Sequence, residues 1–253
     1  MISQEVTEDA FLGGKLRLCQ PKSGHRAGHD AMLLSAAAPA RPGDRVVELG
    51  AGIGAAGLAI ARRVPKIKLT LVDIDEKLAE LARGNAVSNG IDAETIVLDV
   101  TSASRAFASV GLPPDSADVV LMNPPFNDFT RHRASPDRMR QIAHIASAST
   151  LDDWIGAGRR LVKTGGFLVM IWRADGIAAV LAALGRGFGG LAILPVHADV
   201  TSPAIRVLVR AVKGAKAPTR LEPALILNDD QGRPLKRARE LLEGKGVLAL
   251  AMP

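Results

Sequence analysis

Residues 45–54 read RVVELGAGIG, an apolar run from Arg45 to Leu49 that breaks at Gly50, Gly52 and Gly54 before a helical stretch beginning near Ala55. An unalternated run of β-branched and aliphatic residues is the pattern of a strand buried on both faces, as in a parallel sheet. Glycines at its end let the backbone turn sharply and let a ligand lie against it, at the sheet edge where doubly wound folds bind their ligands. Working outward, the same alternation recurs. Candidate core strands are Arg45–Leu49, Lys68–Val72, Glu94–Leu98, Asp118–Met122, Phe167–Ile171, Leu191–Leu194 and Ile205–Val212. Candidate helices are Ala55–Arg63, Glu76–Ser88, Leu151–Leu161 and Gly176–Leu184. This predicts an α/β fold, a doubly wound and mostly parallel sheet of seven strands. Short additions flank it: an extended segment Gly13–Pro21 and a polar-capped helix Asp30–Ala38 before, a strand Pro223–Leu227 and a helix Lys236–Glu243 after. The expected division is 1–40, 41–214 and 215–253.

The composition, 47% hydrophobic and 23% charged over 253 residues, is that of a compact globular chain. No apolar run approaches the ~20 residues of a membrane span, and MISQEVTEDA is too acidic and polar for a secretory leader. A soluble, cytoplasmic protein is expected, with no membrane association. Cys19 is the only cysteine, so neither a disulfide nor a cysteine-based metal site is expected. A net charge of +6 points to an acidic partner, nucleic acid above all. The charge is uneven: residues 201–253 hold ten Lys or Arg against five acids, and 131–140 (RHRASPDRMR) four Arg against one Asp. Solvated surface charge is the competing reading of either segment.

The glycine loop alone does not fix a ligand, because Gly50, Gly52 and Ala55 also satisfy the dinucleotide pattern G-x-G-x-x-G/A. LTLVDID (69–75) places Asp73 at the end of the second strand, where a carboxylate, acceptor-only when ionised, can take both hydroxyls of a ribose. Asp75 reads instead as the N-cap of the next helix. Asp99 closes the third strand, placed either to accept from an adenine amine or to serve as an ordinary turn residue.

The chemistry is carried by DVVLMNPPFND (118–128), where the fourth strand runs into Asn123, Pro124, Pro125 and Phe126 at the same sheet edge. An amino group conjugated to a ring or carbonyl is a poor nucleophile because its lone pair is delocalised. Two acceptors, the Asn123 side-chain oxygen and the Pro124 carbonyl, can bind its two hydrogens and hold the nitrogen toward a methyl donor. The prolines stiffen the turn and restrict the residue before them. Phe126 offers a face for stacking. No metal and no strong base is needed, since the methylated nitrogen turns acidic and loses its proton late; the rate gain comes from positioning. A rigid loop ending a strand is the bland alternative, but glycine loop, ribose acid, third-strand acid and NPPF stand in the order that methyl transfer requires.

With these motifs the chain resembles the S-adenosylmethionine-dependent amino-methyltransferases that carry an [D/N/S]-PP-[Y/F/W] motif. Within them it is similar to the bacterial tRNA adenine-N6 methyltransferases that modify valine tRNA beside the anticodon. GGKLRLCQPKSGHRAGHDAMLLSAAA (13–38) resembles that group's N-terminal signature, VKTGG (162–166) its loop before strand five, and SPAIRVLVRAVKG (202–214) its last core strand. The resemblance implies a class I, Rossmann-like methyltransferase fold whose first 40 residues close over the cofactor site. It implies S-adenosylmethionine held by Glu48, Gly50, Gly52, Gly54, Asp73, Ile74, Asp99, Val100 and Asn123, catalysis at Asn123, Pro124, Pro125 and Phe126, and tRNA as partner. Arg131, Arg133, Arg138 and Arg140 follow the tetrad closely enough to hold RNA phosphates.

Phe126 replaces the tyrosine common in the group, and the chain has no tyrosine at all. Beyond Phe126, stacking candidates are few: Phe129, Trp154 and Trp172, the two tryptophans reading as core. Arg26, His29 and Asp30 resemble the segment closing over the cofactor, although Asp30 can simply cap its helix; His132, in the basic stretch after NPPF, can touch phosphate or, the favoured reading, stand as a solvated loop residue. Rival readings are a release-factor glutamine methyltransferase, whose N-terminal helical domain has no room in residues 1–44, a DNA adenine methyltransferase, an NAD-dependent oxidoreductase and a non-catalytic RNA-binding module.

Overall fold

The structure is a computed structural model that describes residues 6–22, 26–125 and 150–252. Its centre is a mixed sheet containing all seven expected core strands: β3 (Arg45–Leu49), β4 (Lys68–Asp73), β5 (Ala93–Val97), β6 (Ala117–Met122), β7 (Val162–Arg173), β8 (Phe188–His197) and β9 (Ala204–Lys213). They lie in the order β8-β9-β7-β6-β3-β4-β5. β7, β6, β3, β4 and β5 run parallel; β9 is antiparallel between β7 and β8. The order reverses between β3 and β6, which puts the crevice of a doubly wound sheet beyond Leu49 and Met122.

The strands are apolar on both faces because both are covered. Val46, Leu71, Leu121 and Val169 face one buried cluster, shared with α1 (His29–Ala37) and α2 (Ala55–Arg63). Val47, Val72, Val120 and Met170 face the other. That second cluster includes Leu151, Trp154 and Ile155 of α5, the helix through residues 150–161, and Val180 of α6 (Ile177–Leu184). Between β4 and β5, α3 (Glu76–Ser88) is capped by Asp75, whose carboxylate accepts from the Lys77 and Leu78 amides at 2.8 and 3.2 Å.

Several expectations change. The main sheet has nine strands among the described residues: the strand expected at Pro223–Leu227 forms as β11 (Leu225–Ile226), and with the unpredicted β10 (Arg220–Leu221) it adds to β8. Gly13–Pro21 is not one extended segment: Leu16–Pro21 (β2) pairs antiparallel with Val6–Phe11 (β1), and Gly13 and Gly14 make the turn with positive φ. A short helix α4 (Ser104–Ser109) stands where none was predicted. The helix predicted at Asp30–Ala38 begins after Gly28, which makes no side-chain cap; Asp30 lies in its first turn and pairs instead with Arg206. The VKTGG turn is drawn into β7, yet it leaves the ladder: from Ala117↔Val162 to Val119↔Phe167, β7 advances five residues while β6 advances two. The C-terminal helix α7 (Lys236–Leu242) forms as expected and packs on α1.

Candidate active site

At the end of β3, Gly50, Gly52 and Gly54 hold φ of 67, 55 and 83°, a left-handed region that costs other L-residues strain. The Ala51 amide donates to the Val72 carbonyl at 2.9 Å, and the Gly54 amide to the Ala51 carbonyl at 2.8 Å, so the loop closes tightly before α2 begins. Asp73, only 8% exposed, ties the loop to β4. One carboxylate oxygen accepts from the Gly52 amide at 2.6 Å, the other from the Asp75 amide at 2.9 Å. A carboxylate offers about four acceptor positions, so two remain.

Glu48 lies beneath the start of α2, where Oε2 accepts from the Gly57 amide at 2.7 Å. A Cβ at residue 57 would stand 2.8 Å from that oxygen, so glycine there lets helix and carboxyl meet. Burial pushes the Glu48 carboxyl up to about 8, outweighing the Gly57 and Ala56 amides that pull it down; the Asp73 charge adds to the rise.

These groups line a cavity of about 770 Å³ at the carboxyl edge of the sheet. Of the residues singled out in the sequence, Glu48, Gly50, Gly52, Asp73, Ile74, Asp99, Val100, Asn123, Pro124 and Pro125 all face it. Gly54 is not on its wall; it precedes the first turn of α2. Phe126, Arg131, Arg133, Arg138 and Arg140 lie outside the described residues, as do Phe129 and His132. Asp99 engages Oδ1 with the Thr101 amide and hydroxyl, both at 2.8 Å, in a turn of its own.

Asn123 Oδ1 is shut off from solvent and has no hydrogen-bond partner among the described residues. A buried unpaired acceptor costs about 1–3 kcal/mol, so its presence in a cavity wall marks the place where a donor belongs.

The opposite wall is the segment entering α1. Arg26 donates to the Pro21 carbonyl at 2.5 Å, to Thr7 Oγ1 at 3.0 Å and to Asp9 Oδ2 at 2.5 Å. Gln20, 2% exposed, donates to Asp9 Oδ2 at 2.7 Å and accepts from the Ala27 amide at 3.0 Å. Asp30 pairs with Arg206 of β9 at 2.9 Å. Sequence reasoning treated Trp154 as core; it is buried, and it also lines the cavity, its ring so close over Gly50 that a Cβ there would sit 2.3 Å from Cη2.

Residues 27–195 match the family model described as the methyltransferase small domain. The chain belongs to the methyltransferase small-domain family. Over 155 residues it is 30% identical to ribosomal RNA small subunit methyltransferase C of Escherichia coli, which covers 54% of this chain and 42% of that protein. The chain therefore spans less than half the length of the curated relatives it matches. Among solved structures, a "predicted O-methyltransferase" from Agrobacterium tumefaciens is 30% identical with a TM-score of 0.72, over 87% of this chain and 98% of that one. The Thermus thermophilus 16S rRNA N2 G1207 methyltransferase, solved with S-adenosylmethionine and guanosine, has a TM-score of 0.57 over 83% of this chain and 50% of that one. At 16% identity it shares the fold. The small-domain methyltransferase therefore has the class I, Rossmann-like fold, and its cofactor is S-adenosylmethionine. The glycine loop, the acceptors Asp73 and Asp99, the orphaned Asn123 oxygen and the cavity volume fit that cofactor with a donor group beside it. Among the described residues there is no cluster that could hold a metal ion and no helix long and apolar enough to cross a membrane.

Proposed function

We propose that this chain methylates the exocyclic amino group of a purine in RNA, and specifically N6 of an adenosine in tRNA. The observation that carries the reading is the buried Asn123 Oδ1, without a partner among the described residues and set beside Pro124 in the wall of the cofactor cavity. S-adenosylmethionine supplies an electrophilic methyl on a sulfonium centre. The chain's residues do the rest. Asp73 accepts from the ribose hydroxyls, Asp99 from the adenine amine, and the glycine loop lets the backbone lie against the cofactor. Asn123 Oδ1 and the Pro124 carbonyl each accept one hydrogen of the target amino group, which fixes its nitrogen and makes the lone pair available. Phe126 stacks on the base once it has left its helix. After transfer the cationic nitrogen loses its proton to water.

RNA as the substrate class is supported by the net charge of +6 and by the curated relatives, which carry the name of ribosomal RNA methyltransferases. The choice of tRNA adenine rests on the resemblance of residues 13–38. The relatives' name favours a second reading, a base in ribosomal RNA, with the same acceptor chemistry.

The test is methyl transfer from labelled S-adenosylmethionine to total tRNA, ribosomal RNA, DNA and a release factor, beside Asn123→Ala. N6-methyladenosine in tRNA is expected, falling at least about 10²-fold in the variant while cofactor affinity stays within a few-fold. Label in ribosomal RNA would move the substrate and keep the chemistry. An Asn123→Ala chain as active as the parent would sink the acceptor role.

A further inference from the structure

A second cavity, of about 540 Å³, lies behind the wall of the first. Arg26, Ala27, Gly28 and His29 line both. Its other sides come from the two additions to the fold: Asp9 to Gly13 of the N-terminal hairpin, and Leu227, Ala238, Arg239 and Leu242 of the C-terminal segment.

We infer that this second cavity binds a nucleotide that neighbours the methylated one in the RNA; the inference rests on the reading proposed above. Four features point there. Its size falls in the range of ligand sites, about 300–1,000 Å³. Its lining joins apolar surface and one aromatic ring, Phe11, to the acceptors Asp9, Glu243 and Asn228, a surface suited to a flat base with amino groups at its edge. Arg239 is exposed and its side chain makes no hydrogen bond or ion pair among the described residues, which leaves its guanidinium donors for a phosphate. Finally, the shared wall is braced. Arg26 and Gln20 fasten the segment before α1 to Asp9 and Thr7 of the hairpin, so the two cavities keep a fixed spacing, as adjoining nucleotides of one strand need.

The test uses the full chain with S-adenosylhomocysteine and an RNA that the parent methylates. Two exposed lining positions are changed: Arg239→Glu, and Ala10→Trp to fill the mouth. RNA affinity is expected to fall about tenfold in each, with the salt slope of Arg239→Glu shallower by about 1, while S-adenosylhomocysteine binds as in the parent. Variants that bind RNA like the parent overturn the inference and leave the proposed function standing. So does an equal loss of S-adenosylhomocysteine affinity, which would make the lining structural. A parent chain that methylates no RNA removes both.

Discussion

A carboxyl group that ends a central strand and receives the first amides of a helix has two opposing claims on its proton. The Gly57 and Ala56 amides favour the charged form of Glu48, and burial favours the neutral one; burial wins, leaving the group near 8 against an ordinary 4.5. Between those values the folded chain holds a proton that the unfolded chain has released. The stabilising share of Glu48 is thus complete below about pH 4.5 and is lost as pH rises through about 8. Glu48→Gln keeps an acceptor for the Gly57 amide and removes the titration. Denaturant unfolding at pH 5 and pH 8.5 should show the parent losing on the order of 3–5 kcal/mol more than the variant over that interval. Equal losses in both chains would assign the pH dependence to other groups. Asn123 is the counterpart just past β6: there an acceptor is buried without a partner among the described residues, a cost of about 1–3 kcal/mol that a bound donor would recover.

At the scale of elements, the loop between β3 and α2 and the helix α5 are made for each other through Gly50 and Trp154. An alanine at 50 meets both a φ of 67° and the indole ring. Gly50→Ala should cost about 1–3 kcal/mol and weaken S-adenosylmethionine binding. In a Trp154→Ala background the same change should cost less, because only the backbone strain remains. A double-mutant cycle on unfolding free energies reads the difference; no coupling would show that the ring is not what excludes the methyl group. Nothing in the sequence links Trp154 to Gly50, since the contact exists only when α5 packs across the sheet edge. The glycines, Asp73, Asp75, Asp99 and Asn123 could be placed from the sequence because each lies at or within a few residues of the end of its own strand, where chain order and sheet edge coincide. The seven core strands were legible as apolar runs. β11 falls within the strand expected at Pro223–Leu227. β1 and β10 were not legible: VTEDAF carries two acids and no apolar run, and two-residue β10 owes its existence to the neighbour it pairs with. The role of Arg26 as a strut needed the hairpin, whose register sets Thr7 against Gln20.

For the whole molecule, the question is whether the basic C-terminal segment is an attachment to the sheet or part of what holds it. Leu225, Leu241, Leu248 and Leu250 are all at most 5% exposed, and they join the cluster that contains α1 and α2. The Leu248 amide donates to the Ala36 carbonyl at 2.9 Å. The Arg210 guanidinium, buried in β9, donates to the Leu250 carbonyl at 2.8 Å. At roughly 1.5–3 kcal/mol for each buried leucine, the four together rival the ~5–15 kcal/mol by which a native protein is stable. A chain ending at Gly214 should therefore lose its cooperative thermal transition, whereas Leu250→Ala in the full chain should keep a single transition and lose about 2–5 kcal/mol. Calorimetry on the three chains decides it. A truncated chain that melts cooperatively near the parent's temperature would make the segment an attachment, and the wall it lends to the second cavity would then be free to move without unfolding the sheet.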